Sequence, residues 1–202
     1  MASIYDLKPA FQGRLRPLVV HLAARGVTAN QVTIAALLLS IAAGALVALW
    51  PEAALPLLLL PVALFVRMAL NAIDGMLARE HNQKSRLGAL LNEIGDVLSD
   101  AALYLPLATV PGVPSWPVIL AAIFAATAEL TGVLGQTIGA SRRYDGPMGK
   151  SDRAVVFGAL ALWLGFGLPV GLWIDALLWL VVLLLLVTIW TRARRALRNG
   201  SR

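Results

Sequence analysis

Predominantly apolar stretches recur six times along the chain, near residues 32–50, 54–79, 88–110, 116–140, 154–170 and 172–191, with polar residues gathered between them. About 20 apolar residues in a helix span a hydrocarbon layer of roughly 30 Å, so the pattern predicts six transmembrane helices, the second and third reaching past the bilayer. Ahead of them the period changes. Ile4, Leu7, Phe11, Leu15, Leu18 and Leu22 recur at three and four residues, with Lys8, Arg14 and Arg16 interleaved, which predicts an amphipathic helix along the membrane interface. Pro9 and Pro17 are expected to break it into pieces. In "GVTANQVT", Thr28 or Asn30 is positioned to cap the first span. Prolines 51, 56, 61, 106, 111, 114, 117 and 169 fall at or near alternate turns and punctuate the spans. The expected fold is all-α, a single membrane domain over 1–202 with an interfacial segment at 1–30, a six-helix bundle at 31–191 and a basic tail at 192–202.

Composition agrees with that pattern: 59% hydrophobic and 14% charged residues are a balance that water-soluble domains rarely have. The chain has no cysteine, which excludes a disulfide framework, a thiolate metal site and a cysteine nucleophile. No uninterrupted apolar core precedes residue 32, so the first span is expected to be retained and not cleaved as a signal peptide. The net charge of +6 does not point to nucleic acid once its placement is considered. Lys and Arg gather at the amino-terminal segment, at Arg79–Arg86, at Arg142–Arg153 and after Arg192, and are missing around Pro51, Pro111–Ser115 and Pro169–Gly171. That alternation predicts both termini in the cytoplasm and contact with anionic lipid. One basic residue, Arg67, lies inside a span.

Polar residues also interrupt the second and third spans in a helical register. Arg67, Asn71, Asp74 and Ala78 share one face of the second; Asn92, Asp96 and Asp100 share one face of the third. The short basic loop between them makes the two helices antiparallel neighbours, with their polar faces meeting near the loop end. Ionisable groups within a membrane face a bundle interior or a wet cavity and mark a functional path.

The residues "NAIDGMLAR", eight more, then "GALLNEIGD" resemble the CDP-alcohol phosphatidyltransferase pattern DxxDGxxAR, eight residues, GxxxDxxxD. Asp74, Gly75, Ala78, Arg79, Gly88 and Asp96 match in order and spacing, whereas Asn71 and Asn92 stand where the family has its first and third aspartates. "GVTANQVT" is similar to the family's segment before its first span. "RMALNAIDGMLARE", "LNEIGDVLSD" and "GKSDRA" together resemble one bacterial branch of the family.

The resemblance implies six spans with an amino-terminal interfacial helix, a homodimer, and transfer of a phosphatidyl group from CDP-diacylglycerol to an alcohol acceptor with release of CMP. It implies Mg2+ or Mn2+ held at positions 71, 74, 92 and 96, with Asp96 as general base. Oxygen ligands suit those cations, which neutralise diphosphate charge, and a carboxylate can take a hydroxyl proton. Gly75, Ala78 and Gly88 leave room for the nucleotide, and Arg79 meets an anionic group; taken alone, such small residues equally serve helix packing. The location implied is a bacterial inner membrane with the site facing the cytoplasm.

Two amides in place of acids weaken the metal site or remove one metal. Asp100 lies about 12 Å along the helix from Asn92 and about 6 Å from Asp96, and so either extends the site or pairs with Arg67, which reaches a similar depth. Glu93 points about 100° away from Asn92 and replaces a ligand only by bending across. Glu129 and Gln136 share a face leading to Arg143, which suits acceptor contact or simple pairing. Gly135 and Gly139 form a GxxxG spacing compatible with dimerisation. Arg142, Arg143, Lys150 and Arg153 are positioned to gather phosphate oxygens, or only to mark topology. His21 and His81 have no ligand-spaced partner.

Two further classes compete with the transferase. A non-catalytic relative that binds CDP-lipid or partners another lipid enzyme is favoured by the two asparagines; a small transporter would use Glu129 and the Arg67–Asp100 pair, but no inverted repeat supports it.

Overall fold

The computed structural model describes residues 4–199, and these form helices joined by short loops. In chain order they are α1 (Ile4–Ala24), α2 (Ala29–Leu49), α3 (Ala54–Glu80), α4 (Arg86–Tyr104), α5 (Ser115–Leu134), α6 (Lys150–Gly165) and α7 (Leu172–Asn199). One 3-10 segment, Leu105–Thr109, follows α4, and another, Gly135–Ile138, follows α5. A helix therefore stands at each of the six stretches that the apolar pattern marks.

Four of the six are long and apolar enough to cross a membrane by themselves: Ala29–Leu49, Ala54–Glu80, Ser115–Ile138 and Leu172–Arg198. The other two depart from the expected spans for physical reasons. The 16 residues of α6 rise only about 24 Å, and α4 carries Arg86, Glu93, Asp96 and Asp100 within 19 residues.

Helix α1 does not break at its prolines. Pro9 and Pro17 both lie inside it, because a proline removes one ladder hydrogen bond and bends a helix more readily than it ends one whose other turns are paired. It leans along α3. Phe11 meets Phe65 edge-on at 6.1 Å, Val19 is buried with Ile73, Met76 and Leu77, and Arg16 pairs with Glu80 at 3.0 Å. Phe65 and Glu80 are about 22 Å apart along α3, so α1 touches more of that helix than the loop end an interfacial segment would reach. The segment expected as a basic tail continues α7 as helix through Asn199; residues 200–202 lie outside the described residues.

Thr28 caps α2 in a capping box with Gln31. Helix α2 packs on α3 and α4, α3 also on α6, and α5 on α7 and α4. Gly44 sets the α2–α4 separation. A Cβ there would lie 1.8 Å from the Ala102 carbonyl oxygen, so only glycine lets the two backbones approach this closely. The main core runs between α3, α4, α5, α6 and α7 through Leu60, Leu103, Phe157, Leu160, Leu178 and Leu185, with Tyr104 stacked on Phe157 at 4.2 Å.

Candidate active site

The polar positions of α3 and α4 meet at the end of the bundle where α3 stops and α2, α4 and α6 begin. A cavity of about 440 Å³ opens there. Asp74, Gly75, Ala78 and Arg79 of α3 form one wall, Gly88, Asn92 and Glu93 of α4 another, Asn30 and Thr33 of α2 a third, and Arg142 and Tyr144 of the loop between α5 and α6 the rim. Four-residue register explains the α3 wall: Asp74 and Ala78, and beside them Gly75 and Arg79, turn the same way on successive turns.

Asp74 is 5% exposed and accepts a hydrogen bond from the Thr33 hydroxyl at 2.8 Å. Arg79 folds back so that its guanidinium lies 3.1 Å from where a Gly75 Cβ would be, and a Cβ at Gly88 would lie 2.7 Å from Asn30 Oδ1 and 2.9 Å from Ser85 Oγ. Gln83, in the α3–α4 loop, accepts from the Ala29 amide at 2.6 Å and donates to the Val27 carbonyl at 3.3 Å, which ties that loop to the start of α2. Ser85 caps α4 by accepting from Gly88 N at 2.9 Å.

Asp96 lies behind the wall and not on the cavity lining. Its Oδ1 accepts from Asn71 Nδ2 at 3.1 Å and from Lys150 Nζ, and Arg67 donates to its backbone carbonyl at 3.0 Å. Deeper still, Asp100 pairs with Arg67 at 2.6 Å and with Arg153 at 2.7 Å. Arg153, fully buried, also reaches Glu129 at 3.1 Å and the Met148 carbonyl at 3.3 Å. Glu129 lies within 3.6 Å of Arg142 and 3.4 Å of Arg192, and Arg142 pairs with Glu93 and lies 4.8 Å over the Tyr144 ring. In the loop, Arg143 donates to Asp145 at 2.8 Å, and Arg195 binds the same carboxylate. Burial opposes ionisation of Asp145, but those two hydrogen bonds prevail and hold its carboxyl below the usual aspartate range.

Of the positions singled out in the sequence, Asp74, Gly75, Ala78, Arg79, Gly88 and Asn92 line the cavity. Asn71, Asp96 and Lys150 form a cluster behind it, Arg143 is taken up by Asp145, and Arg153 lies in the interior beside Asp100. Asp100 does meet Arg67, but it is shared with a second arginine. Glu129 is held among three arginines, and Gln136 is exposed in the 3-10 segment. Thr33, Gln83 and Arg192 carry interactions that the sequence reading did not assign; the only available signal was a hydroxyl one turn inside a capped helix start.

The fold and the site together define a helical membrane protein with a polar, carboxylate-bearing hollow at one end of its bundle. A family model described as CDP-alcohol phosphatidyltransferase matches residues 26–193, and the chain belongs to that family. It is 50% identical over 198 residues to the inner membrane protein YnbA of Escherichia coli strain K12, covering 96% of this chain and 94% of that protein. Its fold is that of the Mycobacterium tuberculosis phosphatidylinositol phosphate synthase. The crystal structure of that synthase with CDP-DAG bound superposes with a TM-score of 0.73 at 20% identity, covering 91% of this chain and 92% of that one. The same synthase in complex with manganese and citrate gives 0.75 at 21% identity, covering 92% and 90%.

Among the described residues no group of three or more His, Cys, Asp or Glu stands together as a metal-ion site. The donors at positions 71, 74, 92 and 96 are two carboxylates and two amides. Their oxygens are of the type that Mg2+ or Mn2+ prefers, and their charge balances a single dication.

Proposed function

We propose that this chain transfers a phosphatidyl group from CDP-diacylglycerol to an alcohol acceptor and releases CMP. The observation that carries the reading is the common cavity onto which Asp74, Gly75, Ala78, Arg79 and Gly88 open. Its volume falls in the range of small-molecule sites, and its small residues leave the backbone open to a nucleotide. Arg79 and Lys84 meet the diphosphate as cations on the wall. Asp74, Asn92, Asn71 and Asp96 are the residues that would hold Mg2+ or Mn2+. A dication bound there would offset the diphosphate charge and ease departure of CMP. Asp96 takes the acceptor hydroxyl proton as the oxygen–phosphorus bond forms and the bond from phosphorus to the CMP oxygen breaks. Asn71 and Lys150 fix the direction of its carboxylate. Arg143 and Arg153 act through the rim and the interior, steadying the loop and α6, with acceptor contact falling to Arg142 and Glu93.

In this reading the chain crosses a bacterial inner membrane six times, with α4 and α6 completing the crossing because their charges pair inward. Both termini and the cavity face the cytoplasm, where the basic loops meet anionic lipid, and the protein works as a homodimer. Pure protein given CDP-diacylglycerol, divalent metal and a panel of polyols, sugars and phosphorylated alcohols is expected to release CMP, and Asp96→Asn to release far less. A non-catalytic CDP-lipid-binding role is favoured by one observation, the engagement of Asp96 by Lys150 and Asn71. CDP-lipid binding without CMP from any acceptor would establish that role instead.

A further inference from the structure

The two motif carboxylates stand in different company. Asp74 is on the cavity wall with one hydrogen bond, from Thr33. Asp96 carries the Lys150 ammonium and the Asn71 amide on the same oxygen, with Arg67 Nη2 3.6 Å from it. Oδ1, which already accepts from an ammonium and an amide, has little lone-pair capacity left for a metal, so Asp96 would reach a dication or a proton through Oδ2, and the ammonium repels a second dication brought beside it. The amides at 71 and 92 supply oxygen without charge, so two carboxylates and one ammonium leave the site a single net negative charge.

The pairing is built into the helix packing. Asp96 and Asp100 are one turn apart on α4, Lys150 and Arg153 one turn apart on α6, and they meet as two rungs. The Arg153 rung is buried and doubly bonded to Asp100 Oδ2. It clamps the start of α6, and with it Lys150, at the depth of Asp96.

Resting on the transferase reading, we infer that Lys150 is a fixed counter-ion for Asp96. Its ammonium occupies the electrostatic place of a second metal, and the chain holds one dication, on the Asp74 side. Lys150 is then a positioning residue acting through Asp96, and the asparagines at 71 and 92 are its complement: each acid removed from the site lowers the positive charge the site must gather.

The test is an Mn2+ count by paramagnetic resonance on the full-length protein in phosphatidylcholine nanodiscs. The natural chain is expected to bind one Mn2+, and none would overturn the inference. Lys150→Met is expected to tighten Mn2+ binding by about tenfold or to add an ion, and Lys150→Met/Asn71→Asp/Asn92→Asp to bind two. Two Mn2+ on the natural chain overturns the inference, as does a Lys150→Met chain with unchanged count and affinity. Should Lys150→Met not fold, Asn71→Asp/Asn92→Asp with Lys150 retained decides: one Mn2+ supports the counter-ion and two overturns it. No CDP-lipid enters these counts. Failure of the transferase reading appears separately, as no CMP from CDP-diacylglycerol.

Discussion

Two polar regions, which meet α4 at Asn92 and, two helical turns deeper, at Asp100, are built in opposite ways. Around Asp100 and Glu129, arginines 67, 153 and 192 are almost fully buried, and each has its carboxylate or carbonyl partner within the chain. Around Asp74, the polar groups face a hollow, and Arg79 and Lys84 enter no ion pair among the described residues. A buried charge with its partner removed is strongly unfavourable, so the first region is committed to holding α3, α4, α5, α6 and α7 together. The second keeps its capacity free, which is what a ligand site requires. Asp96 stands on the border: its lysine rung belongs to the first region and its motif position to the second.

The largest effect should come at that border. Asp96→Asn is expected to lower CMP release by about 10²–10⁴-fold with the fold intact; turnover within threefold of the natural chain would move the base elsewhere. Next is the interior. Asp100→Asn takes from Arg67 its nearest carboxylate, leaving it the Asp96 carbonyl, and should cost about 3–5 kcal/mol, seen as loss of folded protein by fluorescence-detected size exclusion. Arg67→Met/Asp100→Asn should recover part of it, since Arg153 keeps Glu129 and the Met148 carbonyl; equal damage from both would mean that the two regions are not energetically distinct. On the cavity wall, Arg79→Ala is expected to raise KM for CDP-diacylglycerol by about tenfold, the size of one charge-assisted hydrogen bond, with little change in melting temperature.

The smallest effect belongs to the loop. Asp145 is held below its ordinary pKa, so its contribution is complete above the usual aspartate value of about 4 and fades as pH falls through the lower folded value. Asp145→Asn should therefore cost about 0.5–1 kcal/mol at neutral pH and progressively less in acid. A pH-independent difference in melting temperature would show that packing, not charge, fastens the loop.

The helix positions and the cavity wall were legible because both follow from local periodicity. Runs of apolar residues placed the helices, and four- and seven-residue offsets put Asp74 and Ala78 on one face. Arg67 and Asp100 meet because an antiparallel hairpin makes depth a function of residue number. What escaped came from elements distant in sequence. Nothing local says that Arg153 reaches across to Asp100, that Arg192 turns inward to the Ala128 carbonyl at 2.6 Å, or that Gln83 of a basic loop ties down α2. The prolines of α1 misled because a proline's local preference was outweighed by packing on α3.

The Asp145 latch has a mechanical corollary. Arg143 grips it from the loop, Arg195 from α7, and Arg192 holds its backbone carbonyl at 3.1 Å. Gly146, at φ 118°, lets the chain pass against Thr188, whose hydroxyl accepts from Met148 N at 3.0 Å. The strand of chain leading to Lys150 is thus riveted to the last helix at several points. A tilt of α7 would therefore carry with it the segment that leads to the lysine beside Asp96.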